Sequence, residues 1–349
     1  MSDATKSKGG LFHLVSTHAL LLLTVALIVL FSLLMPNTFP TMLTLQSILS
    51  DKAVIAFLAL AEMVVISANQ FDLSTGFGVS LLHSLAIGLI VNNGLPWGLV
   101  VVIILCCGLC MGFINGLLVR KAKIDSFIAT LGVGTIAYGL AGWYTGGEQI
   151  IGELPKGFIA IDHIRMLGIP LPACLVIVLA FGMWIVFEYL PIGRYLYVIG
   201  ANERTAELTG IRVDRMVIGG FMVSGLITGV ASLVLAARIQ VGQSNVGQEF
   251  LLPAFVGALL GATTVKPGRV NVWGTVVAVL ILAVGISGIE QMGGAFFVEP
   301  LFNGATLIVA VGMAGWASRR RLRASRDAAQ AVREKTNKAE LAGSQGDNT

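Results

Sequence analysis

Residues 97–123 read WGLVVVIILCCGLCMGFINGLLVRKAK, and this stretch decides the fold class. The run that ends at Val119 carries no charged side chain and is long enough for a helix to cross a bilayer, which takes about 20 residues. Arg120, Lys121 and Lys123 follow at once, and basic clusters of this kind mark the cytoplasmic end of a span. The stretch therefore predicts a transmembrane helix whose last turn faces the cytoplasm.

The same stretch carries a stripe of small residues. Gly108, Gly112 and Gly116 recur every fourth residue and so lie on one face of the helix. Small residues at this spacing let two helix backbones approach closely in lipid, although glycine is also common in membrane helices for other reasons. We expect these three glycines to form a helix-packing face.

Composition extends this interpretation to the whole chain. Hydrophobic residues make up 56% and charged residues 12%, with a mean hydropathy of +0.86. Soluble domains carry about 25% charged residues. The chain is thus predicted to be an all-α integral membrane protein with the lipid bilayer as a partner. The net charge of +4 indicates no nucleic-acid binding, because most of the basic residues lie in short loops and the C-terminal tail.

Apolar periodicity predicts a polytopic helical bundle of about ten transmembrane segments with cytoplasmic N- and C-termini. The predicted membrane domain covers residues 14–317, between a predicted N-terminal tail (1–13) and a C-terminal tail (318–349) that is expected to be disordered. The ten segments are Leu14–Met35, Ala53–Ala68, Phe77–Val91, Trp97–Val119, Phe127–Tyr144, Pro172–Leu190, Met216–Ala237, Phe250–Ala262, Val272–Ile289 and Pro300–Ala317. The intervening stretches, including residues 36–50 and 145–170, are expected to be loops.

Charge asymmetry supports an even number of spans. With the N-terminus inside, 19 of the 23 Lys and Arg residues fall on the cytoplasmic side. An odd number would place the basic cluster Arg319–Arg323 outside. The basic residues of the loops and of the C-terminal tail therefore predict the same orientation, with both termini in the cytoplasm.

The sequence offers no catalytic or metal-binding constellation. Cys107 and Cys110 share a helix face but have no His or acidic residue beside them, and the four His residues are scattered. The glycine-rich run from Gly257 to Gly274 lacks the Gly-Lys-Ser/Thr ending of a phosphate-binding loop. We expect no cofactor, no metal and no enzymatic activity in this chain, and any energy for transport to come from another chain.

A second informative stretch is Gly193–Arg215, reading GRYLYVIGANERTAELTGIRVDR. Asn202 is a good N-cap residue, Glu203 suits the positive end of the helix dipole, and Gly210 can close the helix in the left-handed conformation. The predicted helix, Glu203–Thr209, is too short to be stable alone. It is expected to dock on a soluble cytoplasmic partner, the alternative being an ordinary loop with a chance cap.

Acidic residues at membrane depth indicate a second candidate site. Glu62 and Asp72 are flanked by apolar residues, and a polar break from Asn69 to Gly76 interrupts two apolar runs. Such residues face a bundle interior or a water-filled path, so one hypothesis is a pathway for a neutral polar solute. The other is a helix cap at the membrane surface. The candidate pathway residues are Glu62, Asn69, Gln70, Phe71, Asp72 and Ser74.

Several motifs in order resemble the permease subunits of bacterial ABC importers of the ribose, xylose and galactose type. The resemblance covers roughly residues 43–311, and no single motif in it is decisive. The matching stretches are Gln70-Phe71-Asp72-Leu73-Ser74-Thr75-Gly76, Asn115-Gly116-Leu117-Leu118-Val119, Phe127-Ile128-Ala129-Thr130-Leu131-Gly132, Thr145-Gly146-Gly147, Gly193-Arg194-Tyr195, Gly200-Ala201-Asn202-Glu203, Gly210-Ile211, and the glycine-rich run Gly257–Gly274 with the last two spans. Gln70-Phe71 departs from the usual Gly-Ile, and the bulky Phe71 could narrow the range of solutes.

The resemblance implies an inner-membrane permease that pairs with a second permease and receives solute from a periplasmic binding protein. A separate cytoplasmic ATP-binding cassette ATPase would hold ATP and Mg. The stretch 191–215 would be the coupling loop seated on that ATPase. The residues implied for coupling are Gly200, Asn202, Glu203, Arg204, Ala206, Leu208, Gly210 and Ile211.

The predicted function is therefore import of a small polyhydroxylated solute, such as a pentose, a hexose or a sugar alcohol. One alternative is a branched-chain amino acid or nucleoside permease, although a zwitterion would need a compensating charge at the site. Another is a self-sufficient secondary carrier or channel that needs no ATPase. A membrane scaffold without transport is a third, and a membrane enzyme is the least supported.

Overall fold

The computed structural model describes residues 19–266, 268–294, 297–306, 308 and 312. Helices dominate this part of the chain, and residues 298–306 are helical as well. The helices are α1 (Ala19–Leu34), α2 (Met42–Asp51), α3 (Ala53–Ser67), α4 (Ser74–Val91), α5 (Trp97–Arg120), α6 (Ser126–Thr145), α7 (Lys156–His163), α8 (Leu171–Glu188), α9 (Pro191–Ala201), α10 (Glu203–Leu208), α11 (Val213–Ile239), α12 (Gln248–Leu260) and α13 (Val272–Gln291).

Two short antiparallel strand pairs connect loops at one end of the bundle in the part of the chain that the structure describes. β1 (Ile150–Ile151) pairs antiparallel with β4 (Val241–Gly242), and β2 (Arg165–Met166) pairs antiparallel with β3 (Ile169–Pro170). A 3₁₀ turn at Gly261–Thr263 continues α12.

The apolar periodicity correctly predicts a helical membrane protein. Among the described residues, six helices (α4, α5, α6, α8, α11 and α13) are long and apolar enough to cross a bilayer, and α1, α3 and α12 are shorter apolar helices. Half of the predicted tenth segment, Pro300–Ala317, lies outside the described residues. So do the predicted tails, 1–13 and 318–349, and the first five residues of the first segment.

Three predicted loops contain helices instead. Residues 42–51 form α2 because the Thr41 side chain accepts from the Thr44 backbone N–H and caps the helix. Residues 156–163 form α7 behind Pro155, and residues 191–201 form α9 with Pro191 in its first turn. Proline suits this position because its fixed φ is helical and no N–H partner is needed there.

Side-chain and backbone contacts divide the connections into two groups, one at each end of the bundle. At one end, the Ser126 hydroxyl contacts the 68–73 break, and the end of α8 approaches the connection that precedes α13 through Glu188 and Lys266. At the other end, Gln46 bonds to Gly168. The predicted cytoplasmic connections all fall in the first group.

Burial separates an inner set of helices from an outer set. About 70% of the span is buried in α4, α11 and α13, whereas about a third is buried in α5, α6 and α8. The outer helices expose large apolar side chains such as Ile136 and Val178. A helix whose outward face is apolar is suited to contact lipid, because its backbone hydrogen bonds are all internal.

The glycine stripe of α5 lies against α11. A Cβ at Gly108 would overlap the carbonyl of Gly225, and a Cβ at Gly112 would overlap the carbonyl of Phe221. At Gly116 it would come within 2.8 Å of the Ile218 Cα. The two backbones are therefore in direct contact, an approach that only glycine permits.

Candidate functional site

The polar break between α3 and α4 is an ordered structure held by α6. Asn69 adopts a left-handed conformation with φ of 57°, which Asn tolerates better than most residues. The Phe71 N–H donates to the Ser126 hydroxyl at 3.2 Å, and the Leu73 N–H donates to Thr130 Oγ1 at 3.0 Å. Side chains from the first two turns of α6 thus satisfy backbone groups that the interrupted helix leaves free.

Asp72 is the centre of a fully buried hydrogen-bond cluster. Its Oδ1 accepts from the Ser74 hydroxyl at 2.6 Å and from Asn115 Nδ2 at 3.2 Å, and its Oδ2 accepts from the Ser224 hydroxyl at 2.9 Å. Asn115 Nδ2 also donates to Ser74 Oγ at 2.7 Å. The Ser74 backbone N–H bonds to Oδ1 at 3.2 Å, so Asp72 supports the start of α4 as well as joining α5 and α11.

Glu62 lies beside this cluster on α3. The Thr75 hydroxyl donates to Glu62 Oε1 at 2.7 Å, while Oε2 has no hydrogen-bond partner among the described residues. Glu62, Asp72, Ser74 and Thr75 are all 0% exposed. A buried carboxyl oxygen without a partner is costly and is available to accept a hydrogen bond.

The six predicted pathway residues therefore separate into two sets. Glu62, Asp72 and Ser74 are sealed inside the bundle, whereas Asn69 is exposed, Gln70 is half-buried and Phe71 is 37% exposed. Phe71 packs against Phe255 with ring centroids 6.2 Å apart. These three residues lie on the surface of the break, and the Asp72 carboxylate accepts its hydrogen bonds from Ser74, Asn115 and Ser224 instead.

Sequence reasoning missed two members of the cluster. Asn115 and Ser224 each lie in an apolar span and are 0% exposed. An amide in an otherwise apolar helix was a usable signal for Asn115, because a buried polar group needs a partner. For Ser224 no comparable signal existed, since serine readily bonds within its own helix.

The short helix α10 has the predicted construction. Asn202 Oδ1 accepts from the Thr205 N–H at 3.0 Å, and Gly210 follows the helix with φ of 82°. The helix ends at Leu208, one residue before the predicted end. Ala206 is fully buried and fixes the inner face, while Leu208 on the other side is 76% exposed.

Ion pairs hold α10 to the ends of two long helices, α5 and α11. Arg120, the last residue of α5, donates to Glu203 at 2.8 Å and to Asp214 at 2.9 Å. Lys121 also pairs with Asp214, at 2.8 Å. Arg120 and Asp214 were not among the predicted coupling residues, because nothing in the sequence shows that the loops after α5 and α9 meet.

Helix α9 joins this region to the polar break. A Cβ at Gly200 would overlap the carbonyl of Ser67, the last residue of α3.

Tyr197 donates its hydroxyl to the Val270 carbonyl at 2.8 Å, and the Arg269 guanidinium lies 4.6 Å from the Tyr197 ring centroid. Burial raises the pKa of Tyr197 to about 12, so the hydroxyl keeps its proton and donates at neutral pH. Lys266 pairs with Glu188 nearby.

Metal chemistry finds no support in the described ranges. No group of three or more His, Cys, Asp or Glu side chains there could hold a metal ion. The geometry instead defines a polytopic helical membrane protein with a short, partly exposed helix that is ion-paired at one end of the bundle.

Comparison with known proteins places the chain in a family. Residues 44–311 match the family described as "Branched-chain amino acid transport system / permease component", and the chain belongs to that family. Together with the apolar helices, this indicates a multi-pass protein of the bacterial inner membrane.

Curated relatives match over most of their length. The ribose import permease protein RbsC of Bacillus subtilis is 33% identical over 286 residues, covering 82% of this chain and 88% of that protein. The autoinducer 2 import system permease protein LsrD of an Enterobacter strain is 31% identical over 299 residues, covering 84% and 90%. No solved structure matches the chain.

Proposed function

We propose that this chain is the membrane permease subunit of an ATP-driven importer for a small polyhydroxylated solute. The observation that carries the proposal is α10, which is anchored on its inner side by Ala206 and Arg120 and exposes Leu208 on the other. A six-residue helix is too short to be stable alone, and one that is held by the bundle on one side and exposed on the other suits a contact with a soluble protein. Movement of α10 would be transmitted through Arg120 to α5 and through Asp214 to α11.

The assembly that we propose has four kinds of component. Ten spans would place both termini of this chain in the cytoplasm, where a separate ATPase would bind ATP and Mg and hydrolyse the nucleotide. A second permease would complete the pathway, and a periplasmic binding protein would deliver the solute. The names of the curated relatives, which are permease proteins of import systems, support this arrangement.

The choice of solute rests on the relatives and on the buried charges. One relative is named for ribose and another for autoinducer 2, whereas the family description names branched-chain amino acids. Within the described residues no buried side chain is Lys or Arg, and the buried cluster contains two carboxyl groups. An amino acid would bring a carboxylate for which the described residues offer no buried Lys or Arg, so a neutral hydroxylated solute fits better.

The first experiment is purification of the tagged protein from its native membrane in mild detergents, followed by mass spectrometry. We expect an ATPase with a Walker A motif to copurify, and its activity to rise when solute and binding protein are added to the reconstituted complex. Solute transport by the purified chain alone in liposomes, with no ATPase recovered, would contradict the proposal and favour a secondary carrier.

A charge reversal tests the role of α10. Glu203→Lys replaces the Arg120 ion pair with a repulsion and should lower solute-stimulated ATPase activity without reducing the amount of protein in the membrane. Glu207→Lys is the matched control, because Glu207 lies on the same helix and pairs only with the exposed Arg204 among the described residues. Equal coupling in both variants would show that α10 does not transmit the signal through Arg120.

A further inference from the structure

A polar cavity opens at the end of the bundle opposite α10, away from the Asp72 cluster. It lies where the junction of α2 and α3 meets the start of α12 and the helical residues 298–306, and its volume is about 350 Å³. That volume is at the lower end of the range of small-molecule sites, about 300–1,000 Å³. The polar residues that line it are Asp51, Lys52, Gln248, Glu249, Glu299 and Asn303.

The strongest sign of a binding role is Asn303. Its side chain lines the cavity, is 4% exposed, and has an Oδ1 atom with no hydrogen-bond partner among the described residues. A buried amide oxygen left unpaired costs free energy, which a ligand hydroxyl would recover by donating to it.

The cavity is rich in hydrogen-bond acceptors. Pro253 lies inside α12 and lines the cavity, and it has no N–H to donate to the carbonyl of Glu249 four residues earlier. That carbonyl therefore lacks its helical donor at the cavity edge. Together with the Asn303 oxygen and the Glu249 and Glu299 carboxylates, it favours a ligand that brings several donors.

Charge restricts the class of ligand further. Lys52 pairs with Glu299 at 3.2 Å, and Asp51 pairs with Arg238, so these charges are largely compensated. Glu249 makes no ion pair with any residue that the structure describes, which leaves the cavity with an excess of negative charge. Carboxylate and phosphate ligands are thus disfavoured, because the like charge of Glu249 would repel them.

We propose that this cavity is a reception site for a neutral polyhydroxylated solute, occupied before the solute reaches the bundle interior. The inference rests on the proposed function and adds to it the place where the permease first binds solute. Lys52 would donate to ring or hydroxyl oxygens, while Asn303 and the Glu249 carbonyl would accept from hydroxyl groups; Gln248 lies exposed at the edge of the cavity and is given no contact with the solute.

Cysteine labelling tests the site directly. Gln248 is exposed at the cavity, so Gln248→Cys in the full-length chain, within its complex in membrane vesicles, should react with a small charged thiol reagent. D-Ribose and D-glucose are the probes, and we expect either or both to slow this reaction several-fold, while L-leucine and choline leave it unchanged. Asn93→Cys is the matched control, since Asn93 is exposed at the same end but lies outside the cavity, and its labelling should not respond. The parent chain corrects for the four native cysteines.

A second variant links the effect to Asn303. Asn303→Leu, introduced with Gln248→Cys, should abolish protection by the sugars while labelling itself persists. If that variant does not accumulate in the membrane, Asn303→Ala, which adds no bulk, replaces it with the same expectation. Protection that survives the loss of the Asn303 amide would overturn the assignment.

Uptake of labelled D-ribose by the same vesicles separates the two proposals. ATP-dependent uptake without any sugar protection at Gln248→Cys would overturn the reception site and leave the proposed function standing. Protection by choline or L-leucine but not by the sugars would also overturn it. Slowing only by the purified binding protein would mean that the cavity edge is a protein-docking surface, which likewise contradicts the inference.

Discussion

The Asp72 cluster and the Arg120 cluster each include a side chain of α5, but the first is buried and the second is partly exposed to water. Asn115 brings α5 to Asp72 in a fully buried network of hydroxyl and amide donors. Arg120, just over one turn later, brings α5 to Glu203 and Asp214, whose side chains are about 40% exposed. The first network is shielded from water and salt, whereas the second can be weakened by both.

This difference in burial indicates which contacts can be permanent and which can change during a transport cycle. Breaking the buried network leaves unpaired donors in an apolar interior, at a cost of about 1–3 kcal/mol for each group. Breaking an exposed ion pair costs about 0–1 kcal/mol, because water replaces the partner. The Asp72 cluster is therefore suited to fix α3, α4, α5 and α11 relative to one another, and the Arg120 cluster to let α10 shift.

The largest effect should come from a change that separates α5 from α11 and so disrupts both clusters. Gly112→Val would drive a side chain into the Phe221 carbonyl, and we expect destabilisation near the upper end of the overpacking range, about 3 kcal/mol. The measurement is the folded fraction that survives heating in detergent, read by size-exclusion chromatography. Gly132→Val on α6 is the matched control, since a Cβ at Gly132 meets nothing within 4 Å. Equal losses in both variants would show that helix propensity, and not packing, is responsible.

Asp72 should give the next largest effect. Asp72→Ala leaves the Ser224 and Ser74 hydroxyls without their acceptor, and we expect a loss of about 2 kcal/mol that high salt does not alter. Asp125→Ala, which removes the exposed N-cap of α6, provides the control. Asp72→Asn keeps the shape of the side chain, so normal transport with reduced thermal stability would mean that Asp72 supports the fold and does not contact solute.

Features built from residues close together in the sequence were predicted, whereas contacts between residues far apart in the sequence were missed. The Asn202 cap and Gly210 turn are local, because the donor and acceptor lie within a few residues, and the helix between them was predicted to within one residue. The Asp72 cluster was predicted only as its local half, since Asn115 and Ser224 are 43 and 152 residues away. Helix α2 was missed because its ten residues are too few for a span and follow a cluster of turn residues, Pro36, Asn37 and Pro40.

Arg120 tests the exposed side of the comparison. Arg120→Gln removes two ion pairs, and because Glu203 and Asp214 remain in contact with water, we expect a loss of only about 1–2 kcal/mol that shrinks at high salt. The larger consequence should be a fall in solute-stimulated ATPase activity of the complex. Lys121→Gln is the control, since Lys121 is 63% exposed and contacts only Asp214 among the described residues. A salt-independent loss of stability would contradict the distinction between the two clusters.

The smallest effect should come from Asn202, whose side chain makes a single capping bond to the Thr205 N–H at an exposed helix end. Asn202→Ala should cost about 0.5–1 kcal/mol locally, and water can satisfy the freed N–H. Global thermal stability should hardly change, whereas hydrogen exchange of the α10 amides should accelerate and ATPase coupling should fall. Asn202→Asp is the control, because a carboxylate also caps the helix and suits the helix dipole, and it should preserve both readouts. Unchanged exchange in Asn202→Ala would mean that the Arg120–Glu203 ion pair alone holds α10, and that the cap contributes nothing to its position.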